Sequence, residues 1–426
     1  MRLNEDTKVI DNKIYIGDYS LTYLKNKYQT PLYIYGEKEL KKNINIFNSC
    51  FKGNYIPQIV YASKALLIPK MCEYVKNNNW MIDAVSLGDL KIIKKYLNLK
   101  YVVFHGNNKS KEELTYAVKN HVGIIVIDNF EELKQLYSLF KDTKYQIKTM
   151  FRINPHVEAH THKYIQTSLY DSKFGESIEN LELIDQIINF YKQTKNIKLI
   201  GFHSHIGSQI NEITPFVENA KKMIEFTNNI NEKYNLNLTS LNLGGGFGVN
   251  YTEEDPNLSA ILLEFSKELD NLLKESLITK IYIEPGRSIV AESGMTLYTA
   301  SYTKTMHISK KNYLMVDGGM TDNIRPALYD AKYTVLNGNK YNSFLDNIKC
   351  DVVGKCCESG DIISKDTPIN AEYDDPILVL STGAYGYSMK SNYNNSISAP
   401  IILINDKKIE VLSKRQKYKQ LKELFK

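Results

Sequence analysis

The chain of 426 residues has only five cysteines and no long apolar run. The cysteines are odd in number and lack paired Cys-X-X-Cys spacing, which argues against a disulfide framework or a zinc site and favours a reducing compartment. No apolar run approaches the roughly 18 residues of a membrane span, and the opening MRLNEDTKVI has no apolar signal core. We therefore expect a cytoplasmic protein with no membrane association.

A dense block of charge of one sign is also missing. The chain has 54 Lys and Arg against 48 Asp and Glu, a net charge of +6, and its lysines are scattered. This pattern is typical of a solvated surface and argues against a nucleic-acid partner. With 43% hydrophobic and 24% charged residues, the composition is that of a globular protein. The length allows about two or three domains.

Eight apolar, β-branched runs follow one another, each ending in a polar or glycine-containing turn. They are IVYASKA (59–65), MIDAVS (81–86), YVVFHG (101–106), GIIVIDN (123–129), KTMFRIN (148–154), LIGFHSHIG (199–207), SLNLGGGFG (240–248) and KIYIEPGR (280–287). Between them, residues 88–97, 130–140, 178–193 and 218–234 repeat apolar residues at helical spacing. Eight alternating units predict an α/β fold, a closed parallel (β/α)8 barrel.

Polar residues stand at the C-terminal ends of most of these runs. They are Lys64, His105, Asp128, Arg152, His205, Gly244–Gly246 and Glu284. In a barrel all strand ends meet at one mouth, where active sites lie. A doubly wound sheet would place ligands only near its switch point. The distribution therefore favours the barrel.

The pattern of apolar and polar residues changes after about residue 294. Strand-like runs cover 296–308, 312–319, 348–357, 376–386 and 400–413, with little helical periodicity before the C-terminal tail. This predicts a mostly antiparallel β domain, which the opening run KVIDNKIYIGDYS could rejoin as a strand. We therefore predict a barrel over 31–294 and a β domain formed by 1–30 plus 295–426.

Lys64, in YASKA at the end of a predicted buried strand, is the first chemical candidate. Burial would disfavour its charged form, and a neutral amine is the nucleophile that forms a Schiff base. A lysine that extends from the barrel rim into water is the structural alternative.

Gly244, Gly245, Gly246 and Gly248 follow the seventh strand. Backbone amides in such a loop can approach a phosphate, helped by a helix N-terminus beyond, and loops after strands seven and eight are a common phosphate site. The dinucleotide pattern fails because Val249 replaces its last glycine. A plain tight turn is the alternative.

Further candidates are Glu284 and Arg287 in EPGR, and two nearby histidines. A carboxylate facing a pyridine nitrogen would keep it protonated, although these two residues could equally form a structural ion pair. His203 and His205, two apart on one predicted strand, should face the same side. They lack an evident third metal ligand, so we expect no metal. We interpret an imidazole there as packing on a cofactor ring, and a single core histidine with satisfied hydrogen bonds is the alternative.

The β domain adds DGGMTDNIRPALY (317–329), CCESGD (356–361) and TGAYGYSM (382–389). Arg325 could bind a carboxylate, Glu358 an ammonium group, and Cys357 could donate a proton. Tyr329 and Tyr385 lie in the same segments. Each residue alone is more typical of a surface or a turn.

Taken together, these motifs resemble those of the diaminopimelate decarboxylases, bacterial-type fold III enzymes that use pyridoxal 5′-phosphate. The resemblance rests on YASKA, HGNNK, NPHVEAHTHKYI, HSHIGSQI, GGGFG, EPGRSIVAESG, DGGMTDNIRPALY, CESGD and TGAYGYSMKSNYN, which span residues 61 to 395. It implies an N-terminal (β/α)8 barrel, a C-terminal β domain and a homodimer with shared active sites.

The resemblance also implies a role for each candidate. Lys64 would bind the cofactor covalently, His205 would stack on its ring, Ser208 and Gly244–Gly246 would contact the phosphate, and Glu284 would face the pyridine nitrogen. The neighbouring Pro285 and Gly286 would line the cofactor site. Arg287 would contact substrate, phosphate or both, Arg325 and Tyr329 the substrate, and Tyr385 both cofactor and substrate. Cys357 would donate a proton and Glu358 would bind the substrate amine, both in the neighbouring subunit's site.

The implied reaction is decarboxylation of meso-2,6-diaminopimelate to L-lysine and carbon dioxide, the last step of lysine biosynthesis. The alternatives are a same-fold decarboxylase of arginine, lysine, ornithine or carboxynorspermidine, and a non-catalytic pyridoxal phosphate barrel. Three departures from the family pattern are Ser168, Lys390 and SISAP at 396–400, and none coincides with a proposed catalytic residue.

Overall fold

The structure, a computed structural model, describes residues 3–158, 172–251, 257–346 and 348–425. These residues form two compact units. The barrel unit lies within Ile46–Gly248 and Pro256–Gly286, and the β unit lies within Met1–Asn45, Val249–Asp255 and Arg287–Lys426. The departure at Ser168 falls outside the described residues.

The chain opens with four strands and two helices. They are β1 (Thr7–Ile10), β2 (Lys13–Ile16), β3 (Tyr19–Ser20), α1 (Leu21–Tyr28), β4 (Leu32–Gly36) and α2 (Glu37–Cys50). Next come the elements of the barrel unit: β5 (Gln58–Tyr61), α3 (Pro69–Asn77), β6 (Met81–Ala84), α4 (Leu87–Ile93), β7 (Val102–Phe104), α5 (Lys111–Lys119), β8 (Ile124–Ile127), α6 (Phe130–Phe140), β9 (Ile147–Asn154), β10 (Glu176–Ser177), α7 (Leu181–Gln193), β11 (Ile197–His203), α8 (Thr214–Tyr234), β12 (Ser240–Asn242), α9 (Leu258–Leu273) and β13 (Lys280–Ile283).

Eight parallel strands close into a ring in the barrel unit. Their order is β9-β11-β12-β13-β5-β6-β7-β8, with β8 pairing back to β9, and β10 pairs with β9 outside the ring. The predicted (β/α)8 barrel is therefore confirmed. Strand β8, IIVI, is buried at all four positions, as expected for a strand covered on both faces.

Side-chain caps start three consecutive barrel helices, two of them directly after the strand ends. Ser86, Ser110 and Asn129 accept backbone N–H groups at the first turns of α4, α5 and α6. Such caps satisfy amides that have no partner within the helix. The chain therefore turns sharply after β6 and β8, which keeps the polar residues there at one end of the barrel.

The β unit is completed by the last third of the chain. Its further elements are α10 (Arg287–Val290), β14 (Gly294–Thr305), β15 (Asn312–Val316), α11 (Arg325–Tyr329), β16 (Val335–Asn337), β17 (Lys349–Val353), β18 (Ile362–Pro368), β19 (Pro376–Val379), β20 (Ile401–Asn405), β21 (Lys408–Ser413) and α12 (Tyr418–Lys422). The main sheet runs β18-β17-β15-β14-β4-β20-β21, and β19 pairs with β14 and β16. Only β15–β17 and β20–β4 are parallel among these pairs, which confirms a mostly antiparallel domain.

The opening run KVIDNKIYIGDYS does not join the main sheet as the single strand that the sequence suggests. Strands β1, β2 and β3 form a separate three-stranded sheet, whereas β4 pairs with β14 and β20 inside the main sheet. Every residue of β4, LYIYG, is buried, so this strand is apolar enough to occupy a central position. None of the helices in the described part of the chain combines the length and the hydropathy that a membrane span requires.

Candidate functional site

Glu284, one residue beyond β13, is the centre of a polar cluster in the barrel unit. One carboxylate oxygen lies 2.8 Å from Nε2 of His105 and accepts a hydrogen bond of 2.8 Å from Nδ2 of Asn242. The other oxygen lies 3.3 Å from Nε2 of His203. Three strand ends therefore deliver polar side chains to one carboxylate, as the barrel topology predicts.

The electrostatics keep this carboxylate ionised. Burial raises the pKa of Glu284, but the imidazoles of His105 and His203 outweigh burial and hold the pKa well below its usual range. For His203, burial is the largest effect and outweighs the attraction of Glu284, so its pKa falls to about 4. At neutral pH the cluster therefore pairs a carboxylate with a neutral imidazole at position 203.

His203 also gives a prediction for acid stability. Because its folded pKa is depressed from 6.5 to about 4, its contribution to the free energy of unfolding is complete above pH 6.5 and is lost as pH falls towards 4. A shift of this size corresponds to about 3 kcal/mol. Between pH 6.5 and 4, the free energy of unfolding measured in urea should fall in the wild type. In His203→Gln this fall should be smaller by about that amount. The exposed His121→Gln should keep the wild-type slope, and equal slopes for all three would contradict the assignment.

Three side chains of the same cluster could together hold a metal ion. One ligand atom each from His105, His203 and Glu284 lies within 4.8 Å of the others. Sequence reasoning considered His203 with His205 and found no third ligand, because the partners of His203 come from distant strands. The absence of a metal therefore stays a prediction.

Lys64 lies in a single turn of 3-10 helix, Ser63–Ala65, that follows β5. Its side chain is exposed, so the expectation of a buried amine is wrong, because β5 ends at Tyr61 and the lysine stands beyond it. The turn is nevertheless tightly held. The N–H of Ala62 donates to the carbonyl of Pro285 at 2.9 Å, and a Cβ on Gly286 would lie 2.7 Å from that of Ala62.

Asp83 of β6 is a residue that the sequence reasoning missed. Its carboxylate accepts the N–H of Ser63 at 2.5 Å, next to Lys64. Burial raises the pKa of Asp83, and Lys64 is the strongest opposing influence. A charged residue inside an otherwise apolar strand was the available signal, since buried aspartates are rare without a partner. A different signal, a polar residue at a strand end, points to Asn242.

The glycine loop after β12 is shaped by close backbone approach. Gly244 and Gly246 have φ angles of +68° and +115°, which disfavour other residues. A Cβ on Gly245 would lie 2.0 Å from the carbonyl oxygen of Glu284. The next described helix, α9, begins only at Leu258, so the expected help from a helix N-terminus stays a prediction.

Two neighbouring features complete this part of the barrel unit. The imidazole of His205 accepts the N–H of Gly245 at Nδ1, at 3.2 Å, and burial lowers its pKa well below the usual range. His205 lies beyond the end of β11, so His203 and His205 do not share a strand as predicted. The segment that contains Ser208 runs beside the glycine loop, since Ile210 donates to the carbonyl of Gly246 at 2.9 Å.

The β unit contains a second cluster, of two buried arginines and several tyrosines. Arg287 donates to the hydroxyl of Tyr251 at 2.7 Å, and Nε of Arg325 donates to that of Tyr333 at 2.9 Å. Both guanidinium groups face the ring of Tyr385, 5.0 and 5.4 Å from its centroid. The ring of Tyr329 lies 5.1 Å from Arg325. Sequence reasoning identified Arg287, Arg325, Tyr329 and Tyr385 but missed Tyr251 and Tyr333, for which no motif gave a signal.

Cys357 and Glu358 are both exposed in the β unit. Their contacts go to the segment that follows TGAYGYSMK. The N–H of Cys357 donates to Oδ1 of Asn394 at 3.4 Å, and the hydroxyl of Tyr393 donates to Glu358. The adjacent Cys356 is buried, and burial followed by the charge of Asp361 raises its thiol pKa to about 11. Of the two cysteines, only Cys357 is accessible.

The remaining departures from the family pattern have local partners. The ammonium group of Lys390 lies 3.7 Å from the ring centroid of Tyr387. In SISAP, the N–H of Ser398 donates to the side chain of Gln416 at 3.0 Å. Both contacts lie within the β unit, and neither involves a candidate site residue.

The barrel unit fits the expected pyridoxal phosphate on its own geometry. The loop of Gly244–Gly246 has no room for a Cβ, a close backbone approach of the kind that phosphate-binding loops use. In this structure the N–H groups of Gly244 and Gly245 donate to Oδ1 of Asn242 and Nδ1 of His205. The ionised Glu284 is the partner that a protonated pyridine nitrogen requires. Lys64 and its exposed amine follow a neighbouring strand.

Comparison with known proteins agrees with this geometry. Residues 37–291 match the family described as "Pyridoxal-dependent decarboxylase, pyridoxal binding domain". The diaminopimelate decarboxylase of Bacillus subtilis is 38% identical over 418 residues, covering 96% of this chain and 94% of that protein.

Solved structures agree as well. Diaminopimelate decarboxylase from Helicobacter pylori complexed with L-lysine has a TM-score of 0.84 and 30% identity, covering 94% of this chain and 98% of that one. The enzyme from M. jannaschii with L-lysine has a TM-score of 0.89 and 28% identity, covering 100% and 99%. The chain therefore belongs to the pyridoxal-dependent decarboxylases and, within them, to the diaminopimelate decarboxylase family.

Proposed function

We propose that this protein decarboxylates meso-2,6-diaminopimelate to L-lysine and carbon dioxide with pyridoxal 5′-phosphate. Family membership over nearly the full length supports the reaction. The observation that carries the substrate assignment is the pair of buried guanidinium groups, Arg287 and Arg325, which are 4% and 5% exposed. Five free cysteines support a reducing, cytoplasmic location.

Bound pyridoxal phosphate supplies an electron sink for the charge left when carbon dioxide departs. The amine of Lys64 would hold the cofactor covalently. Glu284, kept ionised by its histidine neighbours, would hold a proton on the pyridine nitrogen. His205 would pack against the ring. The loop of Gly244–Gly246 with Ser208 would hold the phosphate, and Pro285 and Gly286 would line the site beside Lys64.

The arginine cluster explains the choice of substrate. The carboxylate that leaves cannot be held by strong hydrogen bonds, because they would stabilise the ground state and not the transition state. Arginines that bind a carboxylate therefore serve the one that stays, at the far end of diaminopimelate. A guanidinium group has five N–H donors, and a tyrosine hydroxyl occupies one of them. Two of the remaining N–H groups can hold a carboxylate in parallel. Arg287 could contact the phosphate as well.

Tyr329 and Tyr385 shape this substrate pocket, and Glu358 would bind the distal ammonium group. Substrates with a single carboxylate, such as lysine or ornithine, would not supply the distal carboxylate that these guanidinium groups are proposed to bind. Sites built for a hydrogen-bonding group reject analogues that lack it by about 10⁴-fold. This discrimination separates the proposed substrate from the other basic amino acids.

We also propose a homodimer in which Cys357 and Glu358 serve the neighbouring subunit's site. Both side chains are exposed, and the contacts of this pair go to Tyr393 and Asn394. A proton donor must be shielded from bulk water to act selectively. A second subunit would provide that shielding.

Substrate preference is tested by measuring carbon dioxide release from meso-diaminopimelate, lysine, ornithine, arginine and carboxynorspermidine. We expect kcat/KM for diaminopimelate to be at least about 10³-fold higher than for the others. A preference for another amino acid would remove the substrate assignment. Cofactor binding without turnover of any of them would indicate a non-catalytic carrier.

A variant pair sharpens this test. Arg325→Lys keeps the charge but loses the planar fork, so KM for diaminopimelate should rise about tenfold or more. The matched control is Arg415→Lys, since Arg415 lies in the same unit and donates to the carbonyls of Gln29 and Pro31. We expect its KM to stay within about twofold of the wild type.

A further inference from the structure

Asp361 is a buried carboxylate that joins two loops of the β unit. Its side chain is 4% exposed. One oxygen accepts the N–H of Met320 at 2.6 Å, and the other accepts the N–H of Cys356 at 2.7 Å. Bonds from backbone amides to a buried, charged acceptor are among the stronger hydrogen bonds in proteins. Asp361 therefore fixes the distance between the two segments.

Each of these segments leads directly to a proposed site residue. On one side, Cys356 precedes Cys357 and Glu358. On the other, Met320 lies in a turn in which the N–H groups of Asp322 and Asn323 donate to the carbonyl of Gly319 at 2.9 and 3.0 Å. This turn ends at α11, whose first residue is Arg325.

Two glycines allow the close approach to Asp361. A Cβ on Gly354 would lie 2.3 Å from Oδ2 of Asp361, and one on Gly319 would lie 2.5 Å from its carboxylate oxygens. In addition, the N–H of Gly354 donates to the carbonyl of Asp361 at 2.9 Å. Any larger residue at these positions would displace the carboxylate from its two donors.

We infer that Asp361 is a positioning residue, which sets the loop of Cys357 and Glu358 and the turn that precedes Arg325 in a single arrangement. The inference rests on the proposed roles of these three residues. Asp361 contacts neither substrate nor cofactor in this role and acts through the backbone. Its loss should therefore affect proton donation and substrate binding together, whereas a purely structural aspartate would affect only stability.

The test compares Asp361→Asn and Gly354→Ala in the full-length holoenzyme. The side-chain N–H₂ group of asparagine would face one of the two backbone N–H donors and could not accept its hydrogen bond. The Cβ of alanine at 354 would push the carboxylate away from its donors. For both variants we expect kcat to fall and KM for diaminopimelate to rise, with kcat/KM reduced about tenfold or more. A second readout is the alkylation of Cys357 by iodoacetamide, followed by peptide mapping. L-Lysine should slow it in the wild type and fail to do so in the variants.

Gly360→Ala is the matched control, because no atom lies within 4 Å of a Cβ built at Gly360 in the same loop. Its kinetics should stay within about twofold of the wild type. If Asp361→Asn does not fold, Gly354→Ala decides the question. Wild-type kinetics with a lowered melting temperature in the folded variants would overturn the inference. Wild-type kinetics of Cys357→Ala and Arg325→Lys would instead overturn the proposed function, so the two failures are distinguishable.

Discussion

Lys64→Ala is expected to abolish both covalent cofactor attachment and turnover. Its amine is the proposed anchor, and an intramolecular nucleophile has effective concentrations that free amines in solution cannot match. We expect kcat to fall by at least about 10³-fold. Borohydride reduction of the wild type followed by peptide mapping should place a pyridoxyl group on residue 64. In the variant this adduct and the visible absorption of the lysine-bound cofactor should be lost.

The control for this prediction is Lys76→Ala, since Lys76 is an exposed lysine at the end of α3 in the same unit. It should keep wild-type absorption and turnover. Exogenous methylamine should partly restore turnover in Lys64→Ala if the side chain supplies only an amine. A pyridoxyl adduct on any other lysine of the wild type would make that lysine the anchor and remove Lys64 from the role.

The barrel was predictable because each strand of the ring pairs with the next ring strand along the chain, so the order of the local patterns already indicates the topology. Runs such as IIVI of β8 are buried on both faces, so they read as continuous apolar segments. The helix predicted over 130–140 matches α6, because its apolar spacing and the Asn129 cap agree. Local propensity and tertiary environment point the same way in these elements.

The ends of the strands were less predictable. The run predicted over 59–65 includes β5 only to Tyr61, and the rest is a turn that exposes Lys64. The same shortening places His205 beyond β11. Apolar character continues into loops that are packed but not hydrogen-bonded as strands, and composition does not distinguish the two. A position at the end of a predicted strand is therefore weak evidence that a side chain is buried.

The contacts within the site were not predictable, because they join residues that are distant in sequence. Motif residues such as Glu284 were found individually, but its partners Asn242 and His105 are separated from it by 42 and 179 positions (284 − 242 and 284 − 105). The same holds for β4, whose neighbours are β14 and β20. Such contacts depend on topology, which a single sequence specifies only through the whole fold.

Cys357→Ala is expected to reduce kcat by about 100-fold or more while cofactor absorption is retained, because a positioned general acid contributes about 10²- to 10⁴-fold. The control is Cys356→Ala. The Cys356 thiol is buried, and burial with Asp361 raises its pKa to about 11, so it is a weak acid and a poor nucleophile. Removing its side chain leaves its backbone N–H in place, and kcat should stay within about twofold of the wild type. A larger loss of kcat in Cys356→Ala than in Cys357→Ala would make Cys356 the proton donor.

Subunit mixing determines which site Cys357 serves. In the proposed dimer, Lys64 and Cys357 of one chain act in different sites, so a heterodimer of Lys64→Ala and Cys357→Ala chains carries both lesions in one site and leaves the other intact. Random mixing produces heterodimers as half of all dimers, so two inactive preparations should together recover about a quarter of wild-type activity. If Cys357 acted in its own chain's site, every site in the mixture would carry a lesion and no activity would return. Recovery therefore tests the shared site independently of the oligomeric state measured in solution.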